Sequence, residues 1–109
     1  MEEASFFHIA ELEKQREGSG KRYQEFLRIP AMSAGVYVVS AGGTDPQKPH
    51  KEDELYFVVR GKAKIRVGEE SRAVHAGSMI FVAASVAHRF HDIEEELVVV
   101  VFFAPAESE

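Results

Sequence analysis

The stretch "KPHKEDELYFVVRG", Lys48–Gly61, sets one imidazole, His50, beside three carboxylates, Glu52, Asp53 and Glu54, and runs directly into strand-forming residues that end at a glycine. If Glu54 faces an interior, the two-residue period of a strand puts Tyr56 and Val58 on the same side and Leu55, Phe57 and Val59 on the other. The next run, "KAKIRVGEE", is joined to it at Gly61 and alternates cleanly, with Ala63, Ile65 and Val67 on one face and Lys64 and Arg66 on the other. Further runs of the same kind follow the same logic: "GVYVVSAG" upstream, then "SRAVHAGSMIFVAA" broken at Gly77, "AHRFHDI" and "ELVVVVFFAP". Turn signals recur every ~8–12 residues, the spacing of an all-β sandwich or barrel.

Residues 1–22 differ and are expected to form an N-terminal extension ahead of a single domain at 23–109. Ser5 is expected to cap a short helix through "FFHIAELEKQRE", with Phe6, Ile9, Ala10 and Glu13 at helical spacing, and "GSGK" (Gly18–Lys21) to stop it. "RYQEFLRI" reads as a first strand or an irregular lead-in ended by Pro30, and the terminal "PAESE" as a frayed tail.

Composition narrows the function classes. The 109 residues match one domain, since domains commonly run ~100–150 residues. No cysteine is present, which excludes disulfides, thiolate metal sites and a thiol nucleophile, and points to a reducing cytoplasm. With 18 acidic and 13 basic residues, a formal charge of −5, and no basic cluster interleaved with aromatics, the surface is expected to repel nucleic acid. The acidic N-terminus lacks the apolar core of a secretory signal, and the longest apolar run, Leu97 to Ala104, is far below the ~18 residues a membrane helix needs.

The chemistry rests on five histidines, His8, His50, His75, His88 and His91. His8 and His75 read as structural. On an unbroken strand His50 and Glu54 would lie ~13 Å apart, at ~3.3 Å per residue, so they can share a ligand only if Lys51–Asp53 form a turn. His88 follows the strand end "FVAASVA", whose small residues permit close backbone approach. Two imidazoles and one carboxylate on one face of an ion leave positions open, a set suited to Fe(II), Mn(II), Ni(II) or Zn(II). Each residue also has a plainer reading: His50 as a turn residue, Glu54 as a solvated charge, His88 bonded to a loop carbonyl.

The spacing resembles that of a small single-domain cupin. The first cupin motif, G-x5-H-x-H-x(3,4)-E-x6-G, is matched over 42–61 by Gly42, Lys48, His50, Glu54 and Gly61. The second, G-x5-P-x-G-x2-H-x3-N, is matched over 77–92 by Gly77, Ala83, Ser85, His88 and Asp92, and the similarity extends over roughly residues 34–104. The resemblance implies a jelly-roll, double-stranded β-helix with a divalent metal on His50, Glu54 and His88. The leading histidine of the first motif is here Lys48, which leaves three readings: Lys48 stands aside, Gln47 (or Lys48 itself) supplies a weak fourth ligand, or the metal is gone and Lys48 pairs with Glu54 inside the barrel. The expected pocket is lined by Tyr37, Val39, Tyr56, Val58, Met79, Phe81 and Phe90, with Asp92 inward and Arg89 and His91 outward. The opposite face of Leu55, Phe57 and Val59 is expected to pack on a second subunit as a homodimer, or else against the N-terminal segment. The functions that follow are a metal-dependent oxygenase or Lewis-acid enzyme acting on a small organic ligand, a metal-free binding or structural protein, or, by fold alone, a sugar isomerase.

Overall fold

The structure, a computed structural model, describes residues 3–108. It is all-β with one short helix, in the order α1 (Ile9–Ser19), β1 (Tyr23–Ile29), β2 (Met32–Val39), β3 (Asp53–Val67), β4 (Glu70–His75), β5 (Met79–Val82) and β6 (His88–Ala104). All strand pairs are antiparallel, in the order β1-β2-β6-β3-β4, with β5 on the other side of β3. β3 and β6 organise the whole. Their outer halves pair from Asp53↔Ala104 to Val58↔Val99 and carry β2, β1 and β5; their inner halves pair from Lys62↔Glu95 to Val67↔His88 and carry β4. The two halves fold over one another around a shared core that joins Tyr56, Val58 and Val101 of the first to Ile65, Val74 and Phe90 of the second.

The fold over occurs where the β3–β6 ladder slips register between Val58 and Lys64. Gly61 sits in the middle of that slip at φ +106. A Cβ there would collide with the Glu96 carbonyl oxygen and lie 2.8 Å from Leu97 Cα. Gly61 is therefore no turn between two strands, as its sequence context suggests, but a bulge inside one strand of 15 residues. "AHRFHDI" and "ELVVVVFFAP" are likewise one bent strand, β6, of 17 residues. A second close approach explains Gly35 of β2, where any side chain would overlap the ring of Tyr23 on β1.

Other expectations need correction. The helix starts at Ile9 with His8, not Ser5, at its N-cap, because the His8 carbonyl accepts the first helical N–H groups, from Glu11 and Leu12. Its only buried residue is Leu12, which packs with Val36, Val38 and Val98 and against Phe26 and Val59; Phe6 and Ile9 are exposed. Val59 thus takes the helix side, while Phe57 stays exposed on the same outer face. Met79 and Phe81 point outward too, each 62% exposed, because β5 enters with Val82 opposite the buried Glu54 and Phe81 opposite Leu55. Asp92, at φ 49, breaks the alternation of β6, so that it faces solvent and Ile93 turns inward after Phe90. Pro105 to Ser108 do not fray: Ala106 N–H donates to the Pro30 carbonyl (3.3 Å), Glu107 N–H to Ser33 Oγ (2.9 Å) and Ser108 N–H to a Glu52 carboxylate oxygen (3.2 Å). No helix among the described residues is long and apolar enough to cross a membrane.

The crossing at Gly61 generates a stability prediction. Gly61→Ala adds a left-handed strain and a backbone collision, and should cost roughly 2–5 kcal/mol. Urea unfolding should show a lower midpoint at unchanged slope; a midpoint equal to wild type would contradict the tight crossing.

Candidate metal centre

Two loops and two strand starts meet at one end of the core. His50 lies in the irregular segment 40–52, where Pro46 and Pro49 withhold ladder donors. It therefore does not end a strand; Glu54 follows at the second position of β3. The segment is tied to the loop before β6 by Ser85 N–H on the His50 carbonyl (2.6 Å) and Ala84 N–H on Asp53 Oδ1 (2.8 Å). Ser85 adopts φ 67, the left-handed conformation that favours glycine, at the position where the cupin motif has glycine. His88 opens β6 in the facing half of the roll.

This folding brings one ligand atom each from His50, Glu54 and His88 within 4.8 Å of one another. Glu54 Oε1 is 3.5 Å from His50 Nε2 and 3.2 Å from His88 Nε2. The side chains of Glu54 and His88 are each 1% exposed, and that of His50 is 22% exposed. Neither carboxylate oxygen of Glu54 receives a well-directed hydrogen bond. A buried carboxylate without donors is costly, and a cation facing it is the usual compensation. The donor set, two nitrogens and one carboxylate, suits a divalent transition ion.

The imidazole of His88 is oriented by its other nitrogen. Nδ1 lies 2.8 Å from the Val86 carbonyl, which can only accept, so Nδ1 carries a proton and Nε2, facing Glu54, is the nitrogen that the neutral ring leaves free to ligate. Burial is the largest single influence on His88 and pulls its pKa down; Glu54, the Val86 carbonyl and the charge of Asp45 together outweigh it, so the pKa lies above the usual 6.5. Tyr56 Oη is 3.1 Å from His88 Nε2 and donates its proton to Gln47 Oε1 (2.8 Å). Burial first, then Glu54, raises the pKa of that hydroxyl well above the ordinary tyrosine value.

Gln47 continues the network by donating to Asp45 Oδ2 (2.7 Å). Asp45 is buried and also accepts from Tyr37 Oη (2.6 Å) and the Phe90 N–H (2.9 Å). The sequence carries no signal for Asp45: "GGTDPQK" reads as a polar turn, and nothing in it announces a partner on another strand. Gln47 does turn inward, but its oxygen is occupied by Tyr56. Lys48 is exposed, and no ion pair joins it to Glu54 among the described residues. His91 is partly exposed and contacts Ser71 and Asp92 rather than the centre; His8 and His75 are exposed.

Beside the centre lies a cavity of about 170 Å³ lined by Tyr23, Tyr37, Gln47, His50, Val101, Phe103 and Glu107. Of the residues expected to line it, Tyr37 does so; Val58 and Phe90 are buried in the core and Tyr56 reaches the centre through its hydroxyl. Met79 and Phe81 lie on the outside. The Tyr23 hydroxyl is buried without a partner. Burial, then Glu107, raises the pKa of this hydroxyl, and burial also raises that of Glu107. A larger depression of about 680 Å³ elsewhere has Lys64, Arg89, His91 and Asp92 in its walls. Asp92 there pairs with Lys64 at 3.8 Å and with His91 at 3.3 Å, and none of His50, Glu54 and His88 lines the depression.

A family model described as a cupin domain matches residues 35–104. The uncharacterized protein SCO3923 of Streptomyces coelicolor is 51% identical over 102 residues, covering 94% of this chain and 97% of that one. Among solved structures, the Cnp3 cupin domain of Schizosaccharomyces pombe aligns with TM-score 0.70 at 17% identity, over 76% of this chain and 59% of that one. KdgF from Halomonas sp. aligns with TM-score 0.70 at 19% identity, over 76% of each chain.

The three donors gathered on Asp45 make it the test of this framework. Asp45→Ala leaves them buried without an acceptor and should cost roughly 3–5 kcal/mol, whereas Tyr37→Phe should cost about 1 kcal/mol. Equal losses in denaturant titrations of the two variants would contradict the network.

Proposed function

This chain belongs to the cupin domain family, and from that premise we propose that it is a metalloprotein whose divalent ion is held by His50, Glu54 and His88 and which acts on a small organic molecule in the adjoining cavity. The observation that carries the reading is Glu54: a fully buried carboxylate with both oxygens free of hydrogen bonds, faced by two imidazole Nε2 atoms. Bound there, iron, manganese, nickel or zinc would supply Lewis acidity towards a ligand oxygen, and iron would add dioxygen chemistry.

The chain's own residues do the rest. Three protein ligands would leave coordination positions for water or a ligand, and one of the three, His50, also lines the cavity. Val101 and Phe103 give that cavity apolar walls, which exclude water and strengthen polar contacts inside it. The unpartnered Tyr23 hydroxyl is placed to donate a hydrogen bond to an acceptor on the ligand. Gln47 draws the Tyr56 proton away from His88 Nε2, keeping that nitrogen available. A volume of about 170 Å³ suits a compact molecule with an apolar body and one or two oxygen acceptors. Exposed Lys48 takes no part in this site.

We further infer a homodimer through the outer face of β3 and β5, and, from the absence of cysteine, a cytoplasmic protein. Phe57, Met79 and Phe81 are exposed and adjacent, since Phe57 pairs with Met79 and Leu55 with Phe81. A contiguous apolar patch of this kind marks an interaction surface.

Plasma-emission analysis of protein purified without an affinity tag should find close to one transition-metal ion per chain, and His88→Ala should lose it. Wild type that contains none and takes none up on incubation would defeat the proposal. Apparent affinity should weaken as pH falls towards the usual histidine value of 6.5, the loss setting in above it because the pKa of His88 is raised and protons compete with the ion for its nitrogen. Sedimentation should give a dimer, and Phe81→Lys a monomer; monomeric wild type at high concentration would remove the dimer.

A further inference from the structure

A neutral imidazole carries one proton, and the nitrogen that holds it cannot ligate a metal. His88 keeps that proton on Nδ1 through the Val86 carbonyl. Among the described residues no backbone carbonyl accepts from the His50 ring in this way. What faces its Nδ1 is a carboxylate from the far end of the chain, with Glu107 Oε2 at 3.4 Å. On the other side of the ring, Nε2 faces Glu54.

The position of Glu107 is built. Its N–H donates to the buried Ser33 Oγ (2.9 Å), and its carbonyl accepts from an Arg28 guanidinium nitrogen (2.8 Å). The flanking residues are anchored as well, Ala106 on the Pro30 carbonyl and Ser108 on the carboxylate of buried Glu52. The anchored strap brings Glu107 to the cavity, where it forms part of the wall.

We propose that Glu107 is a positioning residue: its carboxylate accepts a hydrogen bond from the Nδ1–H of His50, fixes the ring with Nε2 towards Glu54, and so completes for His50 what the Val86 carbonyl does for His88. The inference rests on the metal reading above and extends it to the C-terminal strap. Acceptors of this kind around ligating histidines orient the ring and raise its basicity. In this chain the two imidazoles face different devices, one a backbone carbonyl next door in sequence and the other a side chain from the anchored C-terminal strap.

The test is Zn(II) affinity, measured on the full chain by competition with a chromophoric chelator. Glu107→Ala should weaken binding roughly 10–100-fold. Glu107→Gln keeps a carbonyl acceptor at the same reach and should recover most of that loss. Thermal melts in chelator check that each variant is folded, and Glu107→Leu replaces the alanine variant if that one is not. Affinity in Glu107→Ala equal to wild type would overturn the assignment. Equal losses in the alanine and glutamine variants would overturn it too, because charge at the mouth and not an acceptor at Nδ1 would then set the affinity. Wild type that binds no Zn(II) would instead defeat the metal reading itself, and this inference with it.

Discussion

The structure turns on a buried carboxylate. Glu54 lies inside the roll with neither oxygen receiving a well-directed hydrogen bond, faced by two imidazoles and set against the core of Tyr56, Val58 and Phe103. A carboxylate buried in such surroundings needs a cationic or hydrogen-bonding partner. The local architecture places positive or potentially positive partners around it: His88 from the start of β6, His50 from a proline-rich loop sewn to the opposite loop, and the space between them. The slip of register at Gly61 matters for the same reason. It folds the two halves of β3 and β6 over one another, so that the start of β6 returns to face the start of β3.

Much of this was legible in the sequence. Alternation in β3 correctly put Glu54, Tyr56 and Val58 inside, and the histidine spacing singled out the three residues that the fold gathers. Where the reading failed, the causes are specific. Met79 and Phe81 are large and apolar, and look like pocket residues, but the phase of a four-residue strand is set by its partner; with Val82 opposite Glu54, both must face out. Asp92 escapes the two-residue rule through one left-handed residue, which no periodicity detects. Gly61 carries the same chemical signal whether it closes a turn or relieves a crossing, and only the neighbouring backbone distinguishes them.

The least legible features are polar contacts over long sequence separations. Asp45 collects Tyr37, Gln47 and the Phe90 backbone, and through Gln47 it governs where the Tyr56 proton points. Glu107 sits in a segment whose composition suggests fraying, yet four hydrogen bonds at Pro30, Ser33, Arg28 and Glu52 hold that segment against the barrel mouth. Buried polar networks of this kind specify one arrangement of the side chains they join. Here they surround the candidate centre on two sides: one network is anchored in the core, the other in the tail.

The most direct test of the account is anomalous diffraction from crystals grown with Zn(II). The account predicts one strong peak inside the roll, about 2.0–2.2 Å from His50 Nε2, His88 Nε2 and an oxygen of Glu54. A barrel interior without that peak, with Glu54 satisfied by protein hydrogen bonds or ordered water alone, would contradict it.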